Sequence, residues 1–253
     1  MVAPSVSAGT KLLAAFFTLT SIAALAATPD TSILGVTLIQ NKSGETLGVP
    51  MQIILLLTVL TLLPAIIMSC TPFLRIAVVL HFLRQALGTQ TAPSNQVLVG
   101  LALFLSLLVM QPVTDQLYTQ AWQPMEAGKI TGDEAWDRAQ QPIRTFLFKF
   151  AREKDIALFM ELSHAPHPAN PTDVPLGALV PAYVLSELKV SFQIGAVLFL
   201  PFLIIDLVVA SMTLSVGMVQ LPPVMISAPF KILLFVLVDG WNLVVGSLVR
   251  SFS

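Results

Sequence analysis

The chain alternates two pairs of apolar stretches with one polar stretch between them. Met51 to Leu74 runs for 24 residues without a charge, about 36 Å as a helix and long enough to cross a bilayer. Pro64 lies within it and predicts a bend. Phe73, Ile76, Leu80, Leu83 and Leu87 then recur at spacings of 3, 4, 3 and 4, the stripe of an amphipathic helix, and Gly88 follows where such a helix stops. Arg75 and Arg84 fall off that stripe. Val97 to Met110 is apolar over only 14 residues, a length shared by buried, re-entrant and neighbour-extended spanning segments.

Of the 27 charged residues, 17 fall between Asp115 and Lys189, which marks residues 114–189 as a polar, water-facing domain. Thr131 precedes Glu134 by three, a capping-box pattern, and Pro142 suits the first position of a second helix. Two helices are therefore expected over 131–162. The prolines from His164 to Pro175 predict an extended linker.

At the amino terminus Lys11, the apolar run Leu12 to Ala24 and the small residues up to Ala27 form the three-part pattern of a signal peptide, with cleavage after Ala26. The rival is an uncleaved first membrane helix. Residues 27–50 form a short segment before the first apolar pair, 51–113; the second pair occupies 190–253.

That second pair carries three charges that need explaining. Asp206 sits near the centre of an otherwise good spanning helix from Ile194 to Leu221, and only seven uncharged residues separate Lys231 from Asp239. A charge at the bilayer centre costs about 2.5 to 3.5 kcal/mol even on insertion scales. Lys231 and Asp239 stand ~12 Å apart along one helix and cannot pair within it. Either the helices line an aqueous pathway, or they pack against other chains, with Pro201, Pro222, Pro223 and Pro229 cutting them into short pieces. The segment Ser215 to Pro223 joins these pieces through a glycine and a double proline, a defined turn with apolar side chains at its tip.

Composition agrees with a membrane protein: 55% of residues are hydrophobic, 11% are charged and the mean hydropathy is +0.84. Thirteen basic against fourteen acidic residues, with no basic tract, leave little for phosphate contacts with nucleic acid. Cys70 is the only cysteine, so no internal disulfide can form. The only Gly-Lys, Gly128-Lys129, is followed by Ile130 rather than Ser or Thr, so a Walker loop is missing. His164 and His167 sit among prolines that prevent a shared helical face, and His81 has no acid or nucleophile beside it. Ser211 and Ser215 lack a histidine and are expected to bond to helix backbone. No enzyme, metal or cofactor reading emerges.

Two stretches carry a resemblance. Pro181 to Lys189 (PAYVLSELK), with Phe192-Gln193-Ile194-Gly195, and Pro229 to Trp241 (PFKILLFVLVDGW) are similar to the two signature stretches of the FliP family of flagellar biosynthetic proteins. The residues concerned are Pro181, Ser186, Glu187, Lys189, Gly195, Pro229, Gly240 and Trp241. Phe202 to Val208, Ala86 to Gln90 and Asn95 to Leu105 resemble that family too, so the likeness runs from about Met51 to the end.

The resemblance implies an all-α, membrane-associated subunit of bent helical hairpins, with a polar helical middle domain, built to assemble into a ring or helical oligomer. It implies a non-enzymatic channel subunit of the flagellar type III export gate, without a cofactor, passing unfolded proteins across the bacterial inner membrane at the basal body. The implied partners are further copies in a pentamer, FliQ- and FliR-like subunits, and FlhA- and FlhB-like export components. Asp206, Lys231 and Asp239 would then pair across subunit interfaces. The family's methionine loop aligns with the turn at 215–223, where Met218 stands at the first methionine, Val219 and Gln220 replace the next two, and Met212 joins the constriction.

Virulence secretion systems use a similar subunit; the signal peptide, the polar domain and the form of the first signature favour the flagellar one. A secondary transporter with Asp206 as its ion site is the rival from another class. Counting from a signal peptide puts Arg75 and Arg84 on the cytoplasmic side and the middle domain in the periplasm, in line with the positive-inside tendency.

Overall fold

Local signals explain most helix ends in the computed structural model, which describes residues 49–89, 91–164, 174–217 and 222–252. The expected signal peptide and nearly all of segment 27–50 lie outside the described residues, as does most of the linker after His164. The described residues are helical, with no strand among them.

Helix α1, Val49–Ser69, contains Pro64 and ends before Leu74. The uncharged run therefore does not form one helix: it stops at Ser69, and α2, Phe73–Ala86, starts after Pro72. Proline fixes its own φ and donates no hydrogen bond, so it fits the start of a helix better than its interior. Gly88 at φ +75 ends α2, its N–H bonded to the Gln85 carbonyl at 3.0 Å. The residue accepts this left-handed conformation without a Cβ penalty.

The stripe on α2 is buried as expected, with Ile76, Leu80, Leu83 and Leu87 in the core. Arg75, expected off the buried face, is buried as well. The ambiguous segment resolves into α3, Asn95–Leu117, capped by the Ser94 side chain. It continues through a π-helical turn, Tyr118–Trp122, and the short α4, Gln123–Glu126, giving a 32-residue element long and apolar enough to span a membrane.

The capping box forms as expected: Thr131 Oγ1 accepts from the Glu134 N–H, and Glu134 Oε2 accepts from the Thr131 N–H. Pro142, however, starts no helix. Helix α5 runs through it, Gly132–Phe150, and the break comes at Ala151–Arg152, where Arg152 donates its N–H to Ser186 instead of to a helical carbonyl. Helix α6 follows, Glu153–Leu162. A missing bond at Pro142 costs ~3 kcal/mol, and burial of Pro142, Phe146 and Leu147 on the same helix works against that loss.

Helix α7, Leu176–Ser215, is 40 residues long and contains Pro181 and Pro201. It crosses the expected boundary between the polar domain and the second apolar pair at residue 190 without a break, so Pro201 cuts nothing. It too is long and apolar enough to span. Helix α8, Pro223–Leu237, begins at the double proline and holds Pro229 inside; α9, Gly240–Arg250, is bent from it by 67°. Asp239 makes that corner at φ +53 and ψ +49.

The core gathers α2, α3, α5, α6, α7 and α9 around Ile76, Leu80, Leu147, Leu179, Tyr183 and Leu248. Phe235 is packed between Phe202 at 6.4 Å and Trp241 at 5.4 Å between ring centroids. Gly240 leaves room for that ring: a Cβ there would stand 2.2 Å from Phe235 Cδ2.

Candidate functional site

Charges that apolar sequence cannot leave bare define the site. On α2, Arg75 reaches Glu187 of α7 with Nε to Oε2 at 2.7 Å and Nη2 to Oε1 at 2.5 Å, a bidentate pair. Nη1 donates to Ser251 Oγ at 3.0 Å, just past α9. The guanidinium carbon also lies 3.9 Å from the centroid of the Phe252 ring and 5.6 Å from that of Phe150. The planar, weakly hydrated guanidinium suits this combination of fork and stack. One turn before Glu187, the buried Tyr183 hydroxyl has no hydrogen-bond partner among the described residues.

The neighbouring signature residue, Ser186, faces the polar helices. Its Oγ donates to Asp155 Oδ2 at 2.6 Å and accepts the Arg152 N–H at 2.9 Å. Arg152 grips the same carboxylate through Nε and Nη2 at 2.7 and 2.9 Å. Burial pushes the Asp155 carboxyl up, but the Ser186 hydroxyl and the Arg152 guanidinium together outweigh it and hold its pKa below the usual value. This clamp ties α6 to α7.

Further along α7, Asp206 meets two residues one turn apart on α8: Lys231 Nζ to Oδ2 at 2.6 Å and Ser227 Oγ to Oδ1 at 2.5 Å. Asp206 and Lys231 were expected to find partners across subunit interfaces; within one chain they already find each other. Lys231 does not depend on Asp239, eight residues on, because its partner lies on the preceding helix. Lys231 is 3% exposed and the Asp206 side chain 33%. Asp239 is exposed rather than buried and accepts from Asn242 Nδ2 at 3.1 Å.

With Asp206 and Lys231 paired, the surface of α7 and α8 beyond them is apolar and uncovered. Leu203, Ile204 and Leu207 on α7, and Phe230, Leu233 and Val236 on α8, are all more than half exposed. Such a continuous apolar surface is suited to lipid or to another protein chain. Ser211 and Ser215 return their hydroxyls to the carbonyls of Val208 and Ser211, as expected for apolar helices. Met212 stands exposed near the end of α7; Met218, Val219 and Gln220 lie outside the described residues.

Of the remaining signature residues, Pro181 and Pro229 lie inside α7 and α8, and Lys189 is exposed. Gly195 lets α2 approach: a Cβ there would stand 2.5 Å from Phe82 Cδ2. Sequence reasoning missed Arg75, Arg152 and Asp155. The signal available for Arg75 was a cation inside apolar sequence with no acid nearby in the chain. Among the described residues no group of three or more His, Cys, Asp and Glu side chains is gathered that could hold a metal.

Residues 56–248 match the FliP family. The chain is 49% identical over 217 residues to the flagellar biosynthetic protein FliP of Bacillus subtilis (strain 168), covering 86% of this chain and 98% of that protein. It is 50% identical over 211 residues to FliP of Pectobacterium carotovorum subsp. carotovorum, covering 83% and 82%. Against FliP of Borreliella burgdorferi the identity is 43% over 212 residues, covering 83% and 84%.

Proposed function

The chain belongs to the FliP family, and we propose on that premise that it is a channel subunit of the flagellar protein export gate, passing unfolded flagellar proteins across the inner membrane. The observation that carries this reading is the uncovered apolar surface of α7 and α8, which is larger than one chain needs for its own core. Several copies, with FliQ- and FliR-like subunits, cover that surface in a closed assembly, a pentamer of this chain at its centre. FlhA- and FlhB-like export components join it, the energy comes from partners, and no catalytic step falls to this subunit.

The turn between α7 and α8, with Met212 and Met218, Val219 and Gln220, forms the constriction. Methionine is unbranched and flexible, so a ring of such tips closes and reopens without breaking directional bonds. The middle helices α5 and α6 stand on the periplasmic side. The rival transporter reading needs an available carboxylate at Asp206, and that carboxylate is held by Lys231 and Ser227.

The test is extraction in mild detergent of the chain expressed with its operon neighbours, alongside a deletion strain. A multi-copy particle containing FliQ- and FliR-like chains, and loss of motility with effector secretion intact, are expected. A stable monomer with no partner, or a motile deletion strain, overturns the reading. A Met218→Ala variant is expected to leak small ions; one as tight as wild type removes Met218 from the constriction.

A further inference from the structure

A groove of about 330 Å³ opens between α2, α3 and α7, walled by Ala77, Val78 and Phe82, by Leu98 and Val99, and by Phe192. Its only polar lining comes from His81 and Asn95. Asn95 is the first residue of α3, whose 32-residue apolar element is of spanning length, so the groove lies at the end of such an element, where headgroups stand.

The charge beside this groove has no acidic partner among the described residues. From Glu45 to Asp115 the sequence contains no other carboxylate, and its two cations are Arg75 and Arg84. Arg75 is neutralised by Glu187. Arg84 makes no ion pair among the described residues; its Nη2 meets His81 Nδ1 at 3.0 Å, and its Nη1 has only a long contact, 3.5 Å, with the Pro93 carbonyl. Because His81 itself lines the groove, the guanidinium is one hydrogen bond from the wall. A guanidinium carries five N–H donors in a fork that matches phosphate oxygens.

We propose that this groove holds one acyl chain of an anionic phospholipid, with the lipid phosphate on Arg84. The charge complementarity selects the lipid: an apolar wall and an unpaired cation at its rim ask for a ligand with both an apolar tail and an anionic head. The bound chain covers Phe192, which is 57% exposed. This site goes beyond the export reading and does not depend on it.

Native mass spectrometry of the full chain in nonionic detergent, titrated with phosphatidylglycerol or phosphatidylcholine, tests the assignment. One phosphatidylglycerol retained per chain, in preference to phosphatidylcholine, is expected. Arg84→Gln is expected to weaken retention roughly tenfold, as the loss of a charge-assisted bond does. Val78→Trp, which fills the groove, is expected to remove it, and glycerol phosphate without an acyl chain is expected not to stay bound. Helix content by circular dichroism verifies that both variants fold. Equal retention of the two lipids, or unchanged retention in both folded variants, overturns the site. Loss of lipid as copies assemble also overturns it and gives the groove to a second copy.

Discussion

Arg75 and Glu187, 112 positions apart in sequence, hold each other through two hydrogen bonds in a core where neither side chain is more than 4% exposed. Breaking one side of a buried pair strands the other charge, which costs about 3 to 5 kcal/mol, whereas replacing both with apolar residues of like volume is often neutral. Thermal unfolding in detergent is expected to show Glu187→Ala destabilised on that scale. The Arg75→Met, Glu187→Met double variant is expected to recover most of the loss. A double variant as unstable as the single one would show that Ser251 and the Phe252 ring depend on the guanidinium.

The Asp206–Lys231 pair is asymmetric, and its variants are expected to differ accordingly. Within the single chain Lys231 is nearly enclosed while Asp206 leaves a third of its side chain uncovered. Removing the acid leaves an enclosed ammonium; removing the base leaves a less enclosed carboxylate still bonded to Ser227. Asp206→Ala is therefore expected to lower the unfolding temperature more than Lys231→Met, and equal effects would place the pair in a uniform environment.

Two glycines are expected to resist substitution because of rings rather than backbone. Gly240→Ala drives its Cβ into Phe235, a ring held between Phe202 and Trp241, and Gly195→Ala drives its own into Phe82, which packs on Phe192 and Phe199. Overpacking of this kind costs about 1 to 3 kcal/mol. Gly246→Ala, with nothing within 4 Å of its Cβ, is expected to be neutral or stabilising by roughly 0.5 to 1 kcal/mol. Chemical denaturation of the three variants side by side makes the comparison.

The clamp on Asp155 sets a pH dependence. Its folded pKa is lowered by Ser186 and Arg152 against an opposing burial effect, so the stability it contributes is fully present above the ordinary carboxylate value. That contribution is lost as pH falls from there through the lower folded value. Acid unfolding is expected to show a limb in that window, and Asp155→Asn is expected to flatten it. An unchanged limb in the variant would assign it to other carboxylates.

Helices were legible in this sequence where one face is buried and one is wet. The stripe on α2 and the Thr131–Glu134 box follow from that geometry, and both stand where the pattern put them. Arg75 was misplaced because α2 is buried on more than its stripe. Pro142 was read as a start and Pro201 and Pro229 as breaks, but a proline removes only one backbone bond, and each of the three lies inside a helix that runs on past it. The pairing of Asp206 with Lys231 was illegible for a different reason: it depends on how α7 and α8 lie side by side, and no periodicity within one helix reports that.

Helix α7 also has a mechanical meaning. Ser186, fastened to the polar helix α6, and Asp206, fastened to α8, sit on one unbroken rod about 30 Å apart. The polar helices and α8 are therefore tied to the same continuous backbone, with no loop between the two points of attachment.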